Sequence, residues 1–179
     1  MDLFGRVNAV YSTFFGTSPP ARACVAVDLS EGIHVRLEVL AFLETRPSDR
    51  QALHVQGLSY WAPANIGPYS QAIIVRVSCS PHPLLLTSKQ AGEQVFISGQ
   101  IGLIPSSMTL PRPPSLATEF SLASQHVQRI SSALQATSGG DWEGSTQLAI
   151  YWLTSFEELC KAKKGHLALR VFLSRFLYT

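Results

Sequence analysis

The chain has 179 residues, a length that suits one domain, or one domain with part of another. Hydrophobic residues make up 46% and charged residues 15%, values typical of a globular protein with a core, so wholesale disorder is excluded. The net charge is +2 and the chain has no long run of lysine or arginine, so its charge gives no indication that it binds nucleic acid or an anionic membrane.

The cysteines and the apolar stretches predict a cytoplasmic protein. Cys24, Cys79 and Cys160 are odd in number and far apart, so they suggest neither a disulfide framework nor a zinc site, and they favour a reducing compartment. The N-terminus lacks the pattern of a signal peptide. The apolar stretch 167–178 is short and contains two arginines, so we expect no membrane span.

The first part of the chain predicts a helix, two strands and a linker. Four residues recur at helical spacing after a capping aspartate: Phe4, Val7, Tyr11 and Phe14. Further on, apolar and polar residues alternate, as they do along a strand. The predicted elements are helix 2–15, strand 21–27, turn 28–32, strand 33–42 and a polar linker over 44–54.

The rest of the chain is organised around the proline- and glycine-rich segment Trp61–Ala72 and the apolar run that ends at Ser98-Gly-Gln. A strand that ends in serine and glycine brings backbone close to a ligand, a partner subunit or a turn. After Ser115, a suitable helix cap, six residues form an apolar stripe: Leu116, Phe120, Ala123, Val127, Ile130 and Leu134. The predicted elements are strands 72–78 and 95–102, helix 116–136, strand 146–153 and a helix beginning at Ser155.

Among the polar residues, one arginine is the best candidate for chemistry. Arg22 lies at the mouth of a predicted strand, where a guanidinium suits bidentate binding of a carboxylate; an exposed arginine at a strand end is the alternative. Ser138-Gly-Gly-Asp141 closes a helix, whereas a phosphate loop opens one, so a turn is favoured there. The five histidines have no metal-ligand spacing, and no metal site is expected.

Several segments resemble the RidA family of trimeric enamine and imine deaminases. Ala62-Pro-Ala-Asn-Ile-Gly-Pro-Tyr69-Ser-Gln-Ala72 is similar to the opening motif of the family, and Phe96-Ile-Ser98-Gly-Gln to its next strand. Residues 4–15 are similar to its second helix, Pro20-Ala-Arg22-Ala-Cys24 to its arginine strand, and 35–41 to its closing strand. The resemblance implies an α+β fold of the RidA and chorismate-mutase type, with a mixed, mostly antiparallel sheet and two helices on one face.

The resemblance also implies roles for particular residues. Arg22 matches the arginine that holds the carboxylate of a 2-imino acid, and Glu38 matches the second glutamate of the closing strand. In the family a glutamate of this strand activates water, which implies a catalytic role for Glu38. Arg36 stands at the first glutamate position, and a guanidinium cannot act as a base near neutral pH. Four further residues match positions that line the family's cleft between subunits: Tyr69, Ser98, Asn8 and Cys24. The expected ligand is a small 2-oxo or 2-imino acid.

The order of the segments is similar to a tandem repeat of RidA-like modules. Residues 1–43 resemble the C-terminal half of a first module, 55–160 the N-terminal part of a second, and 161–179 form a divergent tail. Such tandem modules follow an ATP-binding domain in the diphthine–ammonia ligase family. The sequence of residues 54–61 also resembles the start of the second module in that family. This implies ATP as cofactor of the parent ligase but none in this chain, elongation factor 2 as a partner through that ligase, and a trimer-like homo-oligomer or paired tandem modules.

Three functions follow as hypotheses. The first is an accessory or oligomerisation region of a diphthine–ammonia ligase-like protein, inactive as a ligase by itself. The second is an imine deaminase that releases ammonia, assembled when residues 1–43 pack on 60–160 or when two chains combine. The third, RNA cleavage, comes only from family members named L-PSP endoribonucleases, and the net charge of +2 disfavours it.

Overall fold

The protein is α+β, with two described helices and a mostly antiparallel open sheet. The computed structural model describes residues 3–78, 91–137, 146–153 and 169–173. It divides into two compact units, one made of Met1–Ala23 and Phe42–Asp141, the other of Cys24–Ala41 and Trp142–Thr179. The described elements are helix α1 (Leu3–Phe15), a 3-10 turn (Pro47–Asp49), strands β1 (Arg50–Leu53), β2 (Ala72–Ser78) and β3 (Ala91–Ile97), helix α2 (Leu116–Thr137), and strands β4 (Ala149–Leu153) and β5 (Leu169–Leu173).

Strand β2 forms the centre of the sheet in the first unit. It pairs antiparallel with β1 on one side and with β3 on the other. Four consecutive residues of β2 are buried, as expected for a central strand with both faces covered: Ala72, Ile73, Ile74 and Val75. In the second unit, β4 pairs in parallel with β5.

The prediction of a long helix after Ser115 is confirmed, but its buried face differs. The Thr118 amide donates to Ser115 Oγ (3.3 Å) and the Glu119 amide to the Ser115 carbonyl (2.9 Å), which caps the first turn. Its fully buried residues are His126, Ile130 and Leu134. Val127, which the apolar stripe predicts to be buried, is 39% exposed, since the polar His126 takes that place in the core.

The segment predicted as a linker, 44–54, contains the 3-10 turn and β1. Buried Asp49 organises it, because its carboxylate accepts hydrogen bonds from Thr45 Oγ1 (2.7 Å) and the Arg46 amide (3.0 Å). The hydrogen bond from the Thr45 side chain, followed by the contacts with Arg46, lowers the pKa of the Asp49 carboxyl despite its burial. This segment is therefore part of a sheet, and the proposed module boundaries stay a prediction.

Two strand predictions in the first 43 residues are wrong, whereas the predicted helix 2–15 and strand 72–78 are confirmed. Within 21–27, one isolated bridge joins Ala21 to Ser70, and 33–42 belongs to no ladder among the described residues. Alternation predicts which residues share a face, but a strand also needs a neighbouring backbone to pair with. The turn before 33–42 is confirmed, since Gly32 has φ of +78° and the Ile33 amide donates to the Ser30 carbonyl.

The remaining predictions shift or fall outside the described residues. Strand 95–102 corresponds to β3, which ends at Ile97, and strand 146–153 corresponds to β4. The predicted turn 138–141 and the helix from Ser155 lie outside the described residues. No helix in the described ranges is long and apolar enough to cross a membrane.

We expect Gly102→Ala to lower the free energy of unfolding of the first unit by about 1–3 kcal/mol through overpacking. A Cβ at Gly102 would lie 2.5 Å from Cα and 2.6 Å from the carbonyl oxygen of Glu119, and backbone cannot move aside as the end of a side chain can. Urea titration measures the change. Gly57→Ala is the matched control, because a Cβ there meets no atom within 4 Å. Equal midpoints for the two variants would contradict the predicted contact.

We expect the first unit to lose stability as the pH falls below about 6.5, partly through His126. Its Nε2 donates to the Leu103 carbonyl (2.8 Å), and its Nδ1 is buried without a hydrogen-bond partner among the described residues. Burial, with a smaller contribution from Arg129, lowers the pKa of His126 below the usual 6.5. As the pH falls, the His126 side chain of the unfolded chain takes up a proton at a higher pH than that of the folded chain. The contribution of His126 to the free energy of unfolding is therefore complete above pH 6.5 and is lost as the pH falls from 6.5 to the lower pKa of the folded state.

The measurement is the free energy of unfolding at several pH values for the wild type and for His126→Gln, which keeps a donor but does not titrate. The variant should show a shallower loss of stability on acidification. The same substitution at exposed His34 controls for general effects of the change. An unchanged slope in His126→Gln would show that another group causes the acid sensitivity.

Candidate functional site

Helix α1 places three side chains on one face toward the candidate site. Phe4, Asn8 and Tyr11 follow at intervals of four and three residues, so they lie above one another along the helix. None of the residues of α1 is fully buried. The helix therefore contributes the half-buried Asn8 and Tyr11 and the more exposed Phe4 to this side of the first unit.

The segment before Arg22 is docked to the sheet by backbone hydrogen bonds. The Ser70 amide donates to the Pro20 carbonyl (3.1 Å), and the Gly99 amide donates to the Arg22 carbonyl (3.1 Å). The Arg22 amide in turn donates to Ser98 Oγ (2.9 Å), and Ser98 Oγ donates to the Ser70 carbonyl. Buried Ser98 thus joins the arginine segment to the proline- and glycine-rich segment.

A second arginine holds the same segment from its other end. Nη1 of Arg50 donates to Ser18 Oγ (2.8 Å), and its Nη2 donates to the carbonyls of Ser18 (2.8 Å) and Pro19 (3.2 Å). The buried hydroxyl of Ser70 also donates to the Pro19 carbonyl. Together these bonds fix residues 18–22, so the starting direction of the Arg22 side chain is set by backbone.

The guanidinium of Arg22 lies among three aromatic rings. Its Cζ is 4.6 Å from the ring centroid of Tyr11, 5.7 Å from that of Tyr69 and 5.9 Å from that of Phe4. These distances are within the range of cation–π interactions, which hold a cation without neutralising it. No described carboxylate of the first unit forms an ion pair with Arg22. The edge donors of the guanidinium are therefore suited to an anion from outside.

Gly67 brings the loop close to this guanidinium. A Cβ at Gly67 would lie 2.9 Å from Arg22 Nη2, 3.6 Å from Asn8 Nδ2 and 3.6 Å from Tyr69 Cδ1. Glycine thus leaves the room that the arginine head occupies. Because three predicted site residues surround the same point, the loop, α1 and the arginine segment converge there.

The loop itself is shaped by two amide side chains. The side-chain Nδ2 of Asn65 donates to the Tyr69 carbonyl, and the backbone N–H of Asn65 donates to the Val55 carbonyl (2.8 Å). Buried Gln71 donates through Nε2 to the Pro63 carbonyl (2.6 Å) and accepts from Gln100 Nε2 (3.0 Å). Asn65 and Gln71 therefore hold the carbonyls of a segment that has little regular structure of its own.

The two tyrosines beside Arg22 remain protonated near neutral pH. Burial raises the pKa of Tyr69, although a hydrogen bond from the Ile66 amide and the charge of Arg22 oppose the rise. Burial likewise raises the pKa of Tyr11, again opposed by Arg22. Their hydroxyls can donate hydrogen bonds to a ligand, but neither is a base at neutral pH.

Asn8 adds an acceptor to the same site. Its Oδ1 is buried and has no hydrogen-bond partner among the described residues. A buried acceptor without a partner is costly, so such a group is usually satisfied by water or by a ligand donor. The site thus offers a cationic fork at Arg22 and an acceptor at Asn8.

The six predicted site residues divide between the two units. Arg22, Tyr69, Ser98 and Asn8 come together in the first unit. Cys24, a free and exposed thiol, and Glu38 belong to the second unit. Glu38 pairs with Arg36 at 2.7 Å, and both side chains are largely exposed. The catalytic or binding role of all six stays a prediction.

Sequence reasoning missed four contributors to the geometry. The sequence predicts Phe4 and Tyr11 only as residues at helical spacing, although their spacing from Asn8 could have placed them on its face. Gly67 was noted only within a motif, and Arg50 within the linker. The described residues contain no cluster of three groups that could hold a metal ion.

The sequence is similar to part of two curated diphthine–ammonia ligases. It is 42% identical over 139 residues to that of Schizosaccharomyces pombe, a match covering 77% of this chain and 20% of the relative. It is 37% identical over 147 residues to that of Saccharomyces cerevisiae, covering 76% of this chain and 20% of the relative. No family model matches the chain, and no solved structure matches it. The chain therefore spans about a fifth of the length of the curated relatives it matches.

Proposed function

We propose that this chain is a RidA-like accessory region of a diphthine–ammonia ligase-like protein and that Arg22 binds the carboxylate of a small 2-oxo or 2-imino acid. In this proposal the region supports diphthamide formation on elongation factor 2, whereas the ATP-dependent ligation belongs to another part of the protein. The similarity to two ligases over about three quarters of the chain supports the pathway. The RidA-like fold rests on the motifs around Arg22, Tyr69 and Ser98.

The observation that carries the proposed ligand is the environment of Arg22. Its guanidinium is held between aromatic rings and has no carboxylate partner in the first unit among the described residues. A planar guanidinium with free edge donors matches the two oxygens of a carboxylate. Asn8 Oδ1 provides an acceptor nearby for a ligand N–H, which a 2-imino acid has.

Among the described residues of the first unit, no general base lies beside Arg22, which favours a binding role over turnover. Hydrolysis of an imine needs a group that removes a proton from water. In the first unit the described groups around the guanidinium are protonated tyrosines, a phenylalanine and an amide. The residue at the matching base position is Arg36, which cannot accept a proton.

An imine deaminase is the second candidate, and one observation favours it. Residues 3–23 pack with 42–137 in a single unit, so the arginine segment and the Tyr69 segment meet within one chain. This arrangement supports one part of the permuted assembly, in which residues 1–43 pack on 60–160, whereas residues 24–41 belong to the other unit. Glu38 would then have to serve as the base, although its exposed carboxylate is paired with Arg36.

We expect a chimeric S. pombe ligase, with its matching segment replaced by this chain, to keep forming diphthamide. The 42% identity to that segment predicts a compatible fold. Mass spectrometry of elongation factor 2 from cells that lack the native ligase distinguishes diphthine from diphthamide. A ligase with the segment deleted is the control. Accumulation of diphthine in cells that express the chimera at the native level would count against the proposal.

We expect Arg22→Ala to weaken the binding of 2-oxobutyrate by about tenfold to a hundredfold, because charge-assisted hydrogen bonds to the carboxylate are lost. Isothermal titration calorimetry measures the affinity. The main-chain bonds of Arg22 do not depend on its side chain, so the segment should stay docked. Arg6→Ala is the matched control, since it removes an exposed arginine from α1.

Gly67→Ala tests the same site from the loop. Its added methyl must displace the Arg22 head, which is the end of a flexible side chain, so binding should fall while the unfolding midpoint changes little. Equal affinity in the wild type, Arg22→Ala and Gly67→Ala would contradict the ligand proposal. Hydrolysis of 2-iminobutyrate that is lost in both Arg22→Ala and Glu38→Gln would instead favour the deaminase.

A further inference from the structure

Residues 33–41 of the second unit have the pattern of a strand but no strand partner among the described residues. We refer to them as the exposed segment. Alternation places Ile33, Val35, Leu37, Val39 and Ala41 on one face and His34, Arg36, Glu38 and the apolar Leu40 on the other. The four larger residues of the apolar face are between 49% and 72% exposed. Large apolar side chains gathered in this way mark a surface that a partner covers.

The chemistry of the exposed segment indicates what that partner is. β-Branched residues fit a pleated surface, and an unpaired backbone in this pattern is a template for another strand. The polar face carries one cation and one anion two residues apart, Arg36 and Glu38, whose side chains are 71% and 78% exposed. A partner strand matches both charges if it places an anion opposite Arg36 and a cation opposite Glu38. A second copy of the same segment that runs antiparallel presents its charges in this order.

We propose that two copies of this chain associate by antiparallel pairing of their exposed segments, with Leu37 opposite Leu37 of the second copy. In this register Arg36 lies opposite Glu38 of the second copy, and Glu38 lies opposite its Arg36. On the apolar face, Val35 lies opposite Val39 of the second copy. Residues directly opposite in an antiparallel pair have Cβ atoms about 4.5–5.5 Å apart, close enough for ion pairs and apolar contact.

The charges select this register over its neighbours. Sliding one strand by two residues keeps the apolar faces together. A shift in one direction places Arg36 opposite Arg36 of the second copy, and a shift in the other direction places Glu38 opposite Glu38 of the second copy. Like charges directly opposite are destabilising. Sliding by one residue turns the apolar face of one strand onto the polar face of the other. Among these registers, the one with Leu37 opposite Leu37 both pairs the apolar faces and places each charge opposite a charge of the other sign.

The pairing is isologous, because each copy uses the same residues. A single short strand pair buries less area than a stable dimer usually does, so we expect weak, concentration-dependent association. The proposal goes beyond the function proposed above, since it involves neither Arg22 nor a ligand. Loss of 2-oxobutyrate binding would leave it untouched, and a monomeric chain would leave the ligand proposal untouched.

The test uses charge reversal in the full 179-residue chain. In Arg36→Glu both paired positions are acidic, and in Glu38→Arg both are basic, so each variant alone should dimerise at least about tenfold more weakly than the wild type. An equimolar mixture of the two variants restores both opposite-charge pairs. Sedimentation equilibrium should therefore show heterodimers in the mixture and mostly monomers in each variant alone.

Asp28→Arg is the matched control, because it makes the same charge change as Glu38→Arg at an exposed position outside the exposed segment. This variant should dimerise as the wild type does. A wild-type chain that stays monomeric across the concentration range would overturn the proposal. So would charge-reversed variants that dimerise normally, or a mixture that associates no more than its components.

Discussion

The candidate site depends on one constraint, the docking of residues 18–22 against Ser70 and Ser98. A segment without a strand ladder of its own is held by the amides of Ser70 and Gly99, by Ser98 Oγ and by the guanidinium of Arg50. Because Ser98 is buried, its hydroxyl bonds are sheltered from water and leaving them unmade would be costly. This docking brings a residue from the start of the chain to a loop more than forty positions later.

The docking also explains why the side chain of Arg22 is available for binding. The backbone N–H and carbonyl of Arg22 form the hydrogen bonds that dock the segment. The docking therefore does not depend on its side chain. The Cζ of Arg22 lies 4.6 Å from the ring centroid of Tyr11 and 5.7 Å from that of Tyr69, so cation–π interactions hold the guanidinium without neutralising its charge. The two arginines therefore differ in role: Arg50 fixes the segment by hydrogen bonds, whereas Arg22 is the residue to which we assign the proposed ligand.

The sequence predicts the elements well where local signals are strong. The cap at Ser115 and the apolar run of β2 are local, and both are confirmed. Motif resemblance also named Arg22, Tyr69, Ser98 and Asn8, yet their convergence depends on hydrogen bonds between distant segments that no local pattern encodes. His126 was missed because a polar residue rarely fills a core position, and 33–42 was wrongly predicted as a strand because alternation carries no information about the pairing partner.

The division into units separates the residues of the proposed binding from the candidate base. Arg22, Asn8 and Tyr69 belong to one unit, so the proposed carboxylate binding involves no residue of the other. Hydrolysis needs a base as well, and Glu38, the candidate that resemblance supplies, belongs to the second unit and is engaged by Arg36. The Arg36 guanidinium lies 2.7 Å from Oε1 of Glu38, so a water molecule would have to compete with this ion pair for that oxygen. An arginine in one unit and an ion-paired glutamate in the other therefore fit the proposed binding of a carboxylic acid better than hydrolysis of an imine.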